Sequence, residues 1–337
     1  MKAVGYKNIG PIDGAGALSD VEIDKPVAEG RDILVRVEAV SVNPVDTKVR
    51  QRAQPEAGAF GILGWDAVGE VVEVGAEVQD FKPGDRVWYA GAINRTGTNA
   101  EYHCVDERIV GHAPKSISAA AAAALPLTAL TAYEMLFDRL EVERPVPGGD
   151  AAVMIIGGAG GVGSIAIQLL RAMTGLTIIA TASRSETQDW VKALGAHHVV
   201  DHSAELAPQI AALETSAPSY VFSTNYSDRY VGQLAEFIAP QGRFGLIDDP
   251  ESFDILPLKR KSVSLHWELM FTRSLFGTAD ISRQGVILNK VAEMVDAGEI
   301  KSTVTESLGV INAANLTRAH TLLESGKAKG KIVLEGF

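Results

Sequence analysis

Residues 150–173 read DAAVMIIGGAGGVGSIAIQLLRAM, and this stretch decides the fold. The apolar run 151–156 has the length and β-branched content of a buried strand. It breaks into Gly157, Gly158, Gly160, Gly161 and Gly163, after which Ile165, Ala166, Leu169, Leu170 and Met173 recur at helical spacing. Strand, glycine turn and helix form the setting that G-x-G-x-x-G requires, and Gly158, Gly160 and Gly163 fill its three glycine positions. The first glycine permits a sharp turn, the second lets a pyrophosphate approach the main chain, and the third lets helix and strand pack closely. The helix N-terminus adds free N–H groups and a partial positive charge, and Gly161 and Val162 of the loop before it are also expected at the cofactor. The segment is therefore expected to bind a dinucleotide; the plainer alternative is a structural loop.

Outward from this stretch, helical and β patterns alternate. Helix is expected at 128–140, 164–173 and 186–194, and strand at 151–156, 176–181, 198–201, 220–224 and 243–247. Such alternation predicts βαβ units and a doubly wound parallel sheet. The first third is different: 33–42 and 67–74 alternate apolar and polar residues, with Gly and Pro between them, as half-buried strands do. The tail mixes helices at 282–297 and 317–325 with a last strand at 331–334. This order predicts an α/β protein in which a nucleotide-binding domain, 127–270, is inserted between two parts of a β-rich domain, 1–126 and 271–337.

The net charge is −11, which disfavours nonspecific binding to nucleic acid or to an anionic membrane. The single cysteine, Cys104, can build neither an internal disulfide nor a four-cysteine zinc site, which suits a reducing cytoplasm. It lies in a strand-like stretch without a catalytic partner and is read as packing. The N-terminus lacks the apolar core of a signal peptide, and no apolar run is read as a membrane span. The six alanines 119–124 are read as a tightly packed helix.

The choice of dinucleotide turns on the end of the second strand, where NAD-binding members of this fold place an acidic residue for the ribose 2′-hydroxyl. Here the strand ends in Ala182-Ser183-Arg184, and Ser183 lies 20 residues after Gly163. A hydroxyl followed by a guanidinium suits a 2′-phosphate, so NADPH is the expected cofactor; a solvated loop arginine is the alternative.

Several further motifs resemble one family. They are Asn43-Pro-Val-Asp46-Thr-Lys48-Val-Arg50, Pro83-Gly-Asp-Arg-Val87, Leu125-Pro-Leu-Thr-Ala-Leu-Thr131-Ala-Tyr133-Glu134, the glycine loop, His266-Trp-Glu-Leu-Met-Phe271-Thr-Arg273 and Gly330-Lys-Ile-Val-Leu-Glu335-Gly. In this order, over nearly the whole chain, they resemble the medium-chain dehydrogenase/reductase superfamily, in its quinone oxidoreductase branch and the zinc-type alcohol dehydrogenase-like group. The resemblance implies a GroES-like catalytic domain, a Rossmann domain, and a homodimer or homotetramer. It also implies zinc ligands that this chain lacks. Asn43 stands where zinc members carry Cys, Gly64-Trp65-Asp66 where they carry Gly-His-Glu, and Leu127 close to a further Cys. Asn, Trp and Leu cannot replace thiolate and imidazole at a catalytic zinc. His197, His198 and His202 lie close in sequence, but the first two point to opposite faces of a strand, so no metal site is expected there.

Without zinc polarising an alcohol, the expected reaction is hydride delivery from NADPH to a small planar acceptor that is already electron-poor, a quinone or an α,β-unsaturated carbonyl. The protein then supplies positioning and one or two donors for the developing oxyanion. Asn43 and Lys48 are the candidate donors; a solvated lysine is the alternative for Lys48. Asp46 is read as orienting the loop. By resemblance Thr131 is expected near the nicotinamide, a helix hydroxyl bonded to its own backbone being the alternative, and His202 near the 2′-phosphate, a polar strand end being the alternative. Asn225 and Asp248 follow strand-like runs, where ligands gather in doubly wound sheets, so backbone contacts to the cofactor are expected near Leu246 and Ile247. Trp65, Trp267 and Phe271 are the candidate walls of a substrate pocket, core packing being the alternative. Two other functions stay open at this point: reduction of another activated double bond, and an NADPH-binding protein without enzymatic activity, structural or RNA-binding.

Overall fold

The structure is a computed structural model describing every residue except Ala15 and Ser216. The chain divides into two compact units, Met1–Leu130 with Phe271–Phe337, and Thr131–Met270.

The second unit is built on six parallel strands, Asp150–Ile156, Thr177–Thr181, His198–Val200, Pro218–Ser223, Arg243–Leu246 and Ser264–Trp267. Numbered β1 to β6 in chain order, they lie side by side as β3-β2-β1-β4-β5-β6. This is the doubly wound Rossmann order, in which the order of strand addition reverses between β1 and β4. The β1 strand is apolar because it is central: Val153, Met154, Ile155 and Ile156 are all buried. Helix Gly161–Met173 packs its apolar residues Ile165, Ala166, Leu169 and Leu170 into the core, and all four are buried. The outermost strand, β6, was not anticipated as a strand. None of its four residues is fully buried, so it carries no apolar run to betray it.

The first unit holds a seven-stranded sheet around the long strand Asp32–Val42 and a three-stranded sheet around Lys2–Tyr6. Strand Ala67–Val74 pairs antiparallel with Asp32–Val42, and Lys331–Glu335 pairs with its other edge. The C-terminal strand thus returns beside residues 39–42, immediately before the helix Pro44–Arg52. The alanine run folds as the short helix Ala119–Ala123, with Ser118 capping it by accepting the Ala121 N–H. The helical stretch Ala119–Arg139 is long and apolar enough to cross a membrane by length and composition, which corrects the sequence expectation on length. Of its most apolar window 83% is buried within the protein, as in a core helix.

Candidate active site

In the second unit the loops at the carboxyl ends of β1, β2, β3, β4 and β5 carry the expected cofactor residues. The glycine loop follows Ile156, Ser183 and Arg184 follow Thr181, His202 follows Val200, Asn225 follows Ser223, and Ile247 follows Leu246. Ligands bind at this end of a doubly wound sheet, at the point where strand order reverses.

The glycines there are held by close approach. Gly157 has φ +82°, and a Cβ on it would lie 2.2 Å from Thr224 Oγ1 and 3.0 Å from Asn225 Oδ1. A Cβ on Gly163 would lie 2.3 Å from the Gly157 carbonyl oxygen, so helix and turn touch through bare backbone. Around Gly160, the residue before the helix, a Cβ would meet only the Gly157 oxygen at 3.5 Å. Ser164 is the residue whose N–H bonds back to Gly160, at 2.9 Å. The N–H groups of Gly161, Val162 and Gly163 precede it in the first turn, where a helix offers no partner of its own. This cradle fits a pyrophosphate. Gly157 itself, outside the three fingerprint positions, is the residue that sequence reasoning undervalued.

The turn is tied to the second strand. The Gly157 N–H donates to Thr181 Oγ1 at 3.0 Å, and the Gly158 N–H to the Thr181 carbonyl at 3.2 Å. His202 Nδ1 lies 3.3 Å from the same Thr181 hydroxyl. Arg184 is exposed, with its Nε 3.3 Å from Glu186, and Ser183 is half-buried beside it. Asn225 is exposed. Asp248 accepts the Ser227 N–H at 2.8 Å and caps helix Ser227–Phe237. Thr131 is buried at the start of this unit. Trp267 is 53% exposed on β6, its ring 6.4 Å from that of Phe253.

In the first unit the positions at which zinc members carry ligands meet a buried hub. Asp66 Oδ2 accepts from Ser41 Oγ at 2.6 Å, Asn43 Nδ2 at 2.7 Å and Lys331 Nζ at 3.1 Å, and Oδ1 accepts the Leu127 N–H at 2.7 Å. Lys331 Nζ also donates to the Val42 carbonyl at 3.1 Å and to Asn43 Oδ1. A carboxylate offers about four acceptor sites and an ammonium three donors, so both groups are used in full. Sequence reasoning missed Lys331 and Ser41. The one available signal was a lysine heading the apolar strand Lys331–Glu335.

Asn43 precedes helix Pro44–Arg52, and its backbone N–H donates to Asp46 Oδ2 at 2.8 Å. Asp46 therefore orients a helix start rather than a loop. Burial pushes the Asp46 carboxyl up to about 7, and the nearby Asp66 charge adds to this; the Asn43 and Gly64 N–H groups and the Lys331 ammonium oppose it. Both ends of the Asn43 amide are engaged in the hub, and one amide hydrogen remains beyond the bond to Asp66. Lys48 is half-buried on the same helix. Trp65 and Phe271 are both buried and meet edge to face, with centroids 6.3 Å apart. Cys104 lies half-buried on strand Tyr102–Asp106, and burial pushes its thiol up to about 11, away from the reactive thiolate. His197 is taken up locally: its Nδ1 accepts the Ile178 N–H at 2.9 Å and its Nε2 lies 2.7 Å from Arg171.

Comparison with known proteins agrees with this fold. Residues 29–125 match the alcohol dehydrogenase GroES-like domain, and residues 194–334 match the zinc-binding dehydrogenase family. A zinc-type alcohol dehydrogenase-like protein of Staphylococcus aureus is 40% identical, over 99% of both chains. A Rhizobium etli protein, provisionally named a zinc-dependent alcohol dehydrogenase, is 58% identical with a TM-score of 0.98, covering 100% of this chain and 98% of its own. The quinone oxidoreductase of Coxiella burnetii is 26% identical with a TM-score of 0.81, over 100% and 99% of the two chains. A mycobacterial protein solved with NADPH is 27% identical with a TM-score of 0.80, over 99% and 100%.

Proposed function

This chain belongs to the medium-chain dehydrogenase/reductase superfamily of nicotinamide-dependent oxidoreductases, and from that premise we propose that it is a zinc-independent, NADPH-dependent reductase of quinones or α,β-unsaturated carbonyls. The observation that carries this reading is the hub. Where zinc members present thiolate and imidazole, this chain presents an amide, an indole and an alkyl group. Its one carboxylate there, Asp66, is already neutralised by Lys331. Such a donor set does not fit a catalytic zinc, which takes Cys, His and carboxylate ligands with one open position.

Alcohol oxidation in zinc members relies on a Lewis acid on the substrate oxygen, whereas a quinone or enone already carries the electron deficiency that accepts hydride. Bound at the glycine cradle, NADPH supplies that hydride. The chain's own tasks are then to hold the cofactor and offer donors to the oxygen that gains charge. Gly161, Val162 and Gly163 present their N–H groups to the pyrophosphate, and Ser183 and Arg184 take the 2′-phosphate. Lys48 and the remaining amide hydrogen of Asn43 are the candidate oxyanion donors. The resemblance carries a homodimer or homotetramer with it, and the exposed Trp267 and Leu269 at the outer edge of the second unit's sheet support a partner copy there.

The test is turnover. Protein with NADPH and 9,10-phenanthrenequinone or a short-chain enone should consume reduced nicotinamide, and a chelator should leave the rate unchanged. Tight NADPH binding without turnover on either acceptor would favour a non-enzymatic binding role. A rate abolished by chelator and restored by zinc would overturn the metal-free mechanism.

A further inference from the structure

Thr181 links His202, the residue expected near the 2′-phosphate, to the turn of the glycine loop. Thr181 is buried at the end of the second strand and accepts the Gly157 N–H through its hydroxyl. The same oxygen lies 3.3 Å from His202 Nδ1. His202 is half-buried at the end of the third strand. The charged groups around it are few. Asp201 precedes it, with its carboxylate occupied by the Ser203 N–H at 2.8 Å and hydroxyl at 2.7 Å. Arg184, itself beside Glu186, approaches from the loop after the second strand. Gln209, from the neighbouring helix Leu206–Ala211, is uncharged and holds the Asp201 N–H.

We infer that His202, held by Thr181 to the turn of the glycine loop, grips the cofactor's 2′-phosphate as an imidazolium, so that this chain takes up a proton as NADPH binds. The inference rests on the NADPH reading given above. In the free protein His202 is neutral: its partial burial and the Arg184 charge hold it below the ordinary histidine range, against the opposing pull of Asp201. The Thr181 hydroxyl then donates to Nδ1, which leaves Nε2–H as the outward donor. A phosphate monoester carries close to two negative charges near neutral pH, enough to reverse that balance. A proton from solvent adds to Nδ1, Nδ1–H now donates to Thr181 Oγ1, and the hydroxyl hydrogen rotates away. The Thr181 oxygen accepts from Gly157 in both states, so the turn stays in place while the histidine changes charge. Thr181 is thus a positioning residue for the phosphate site, and His202 discriminates NADPH from NADH. The sign follows from linkage. Binding favours the protonated form, so NADPH affinity falls as pH rises from the free to the bound titration range of His202.

Calorimetric titration of the full chain with NADPH and with NADH, in buffers of different ionisation enthalpy at pH 7.5, reads the proton directly. Net uptake is expected with NADPH and none with NADH. From pH 6.5 to 8.5 the NADPH Kd should weaken about threefold more in the wild type than in His202→Asn, the part of a rise of roughly one pH unit that falls inside this window. The comparison with His202→Asn cancels the titration of the phosphate itself. Thr181→Ser should retain the uptake; Thr181→Val should lose it and weaken both cofactors. Should NADPH bind no tighter than NADH, the cofactor reading falls and this inference with it. Should NADPH be preferred while wild type and His202→Asn take up equal protons, this inference alone is overturned.

Discussion

At the hub around Asp66 the polar groups close on one another, whereas at the glycine loop the first-turn N–H groups have no partner within their own helix. Asp66 accepts four bonds and Lys331 donates three, all from within the first unit. In the second unit the carboxyl ends of five strands present backbone donors, an exposed arginine and a half-buried histidine. A buried cluster that satisfies itself fixes local structure, because breaking it strands a charge. A cluster that leaves donors facing outward awaits a ligand. The difference separates a part of this oxidoreductase that closes on itself from a part that turns its donors outward.

The hub should show the largest effect. Lys331→Met leaves the Asp66 carboxylate buried without its cation and should cost about 3–5 kcal/mol of stability by denaturant unfolding. Adding Asp66→Leu should recover part of that loss, since the double variant strands no charge. Additive losses would mean that the two groups do not act as one unit. At the open site, Gly163→Ala places a methyl 2.3 Å from the Gly157 carbonyl. It should weaken NADPH and NADH alike, on the order of tenfold or more, because both carry the pyrophosphate that the cradle holds. Arg184→Ala should be selective. Loss of a charge-assisted bond worth about 1.5–3 kcal/mol predicts on the order of tenfold to a hundredfold weaker NADPH, with NADH nearly unchanged. Equal effects on both would remove the 2′-phosphate from this loop.

The two regions were unequally legible in the sequence. The Rossmann unit announces itself locally: a buried central strand is an apolar run, a turn with φ +82° takes glycine, and a helix over the sheet shows its apolar stripe. The helix Pro44–Arg52 has no such stripe. Its buried residues are Asp46, Thr47 and Arg50, so periodicity was blind to it. The signal lay in chemistry: Asn before Pro, with Asp at the third helical position, is a helix start. The hub was less legible still. Lys331 meets Asp66 across 265 residues of sequence, and no local pattern encodes a contact of that range. Thr181 escaped for a similar reason, since its side chain acts on a loop 24 residues earlier.

The closed region carries one acid more than it has cations, and this ties its stability to pH. Asp46 is fully buried near Asp66 and Lys331, and its carboxyl is raised to about 7, chiefly by burial. The unfolded chain ionises near the ordinary aspartate value of about 3.9, so between these limits the native state holds a proton that the unfolded state has released. Stability from this group is therefore complete below about pH 4 and is lost as pH rises through the folded value, with a slope of at most about 1.4 kcal/mol per pH unit. Asp46→Asn keeps an oxygen to accept the Asn43 N–H but cannot ionise. Unfolding curves from pH 5 to 8 should show the wild type losing stability relative to this variant, most steeply at about pH 5–6 and levelling off above about pH 7. Parallel curves would mean that Asp46 keeps one charge state throughout, and the hub would then tolerate two carboxylates against a single ammonium. A steeper loss in the wild type would show that the hub closes fully only with a proton, standing where a second cation is missing.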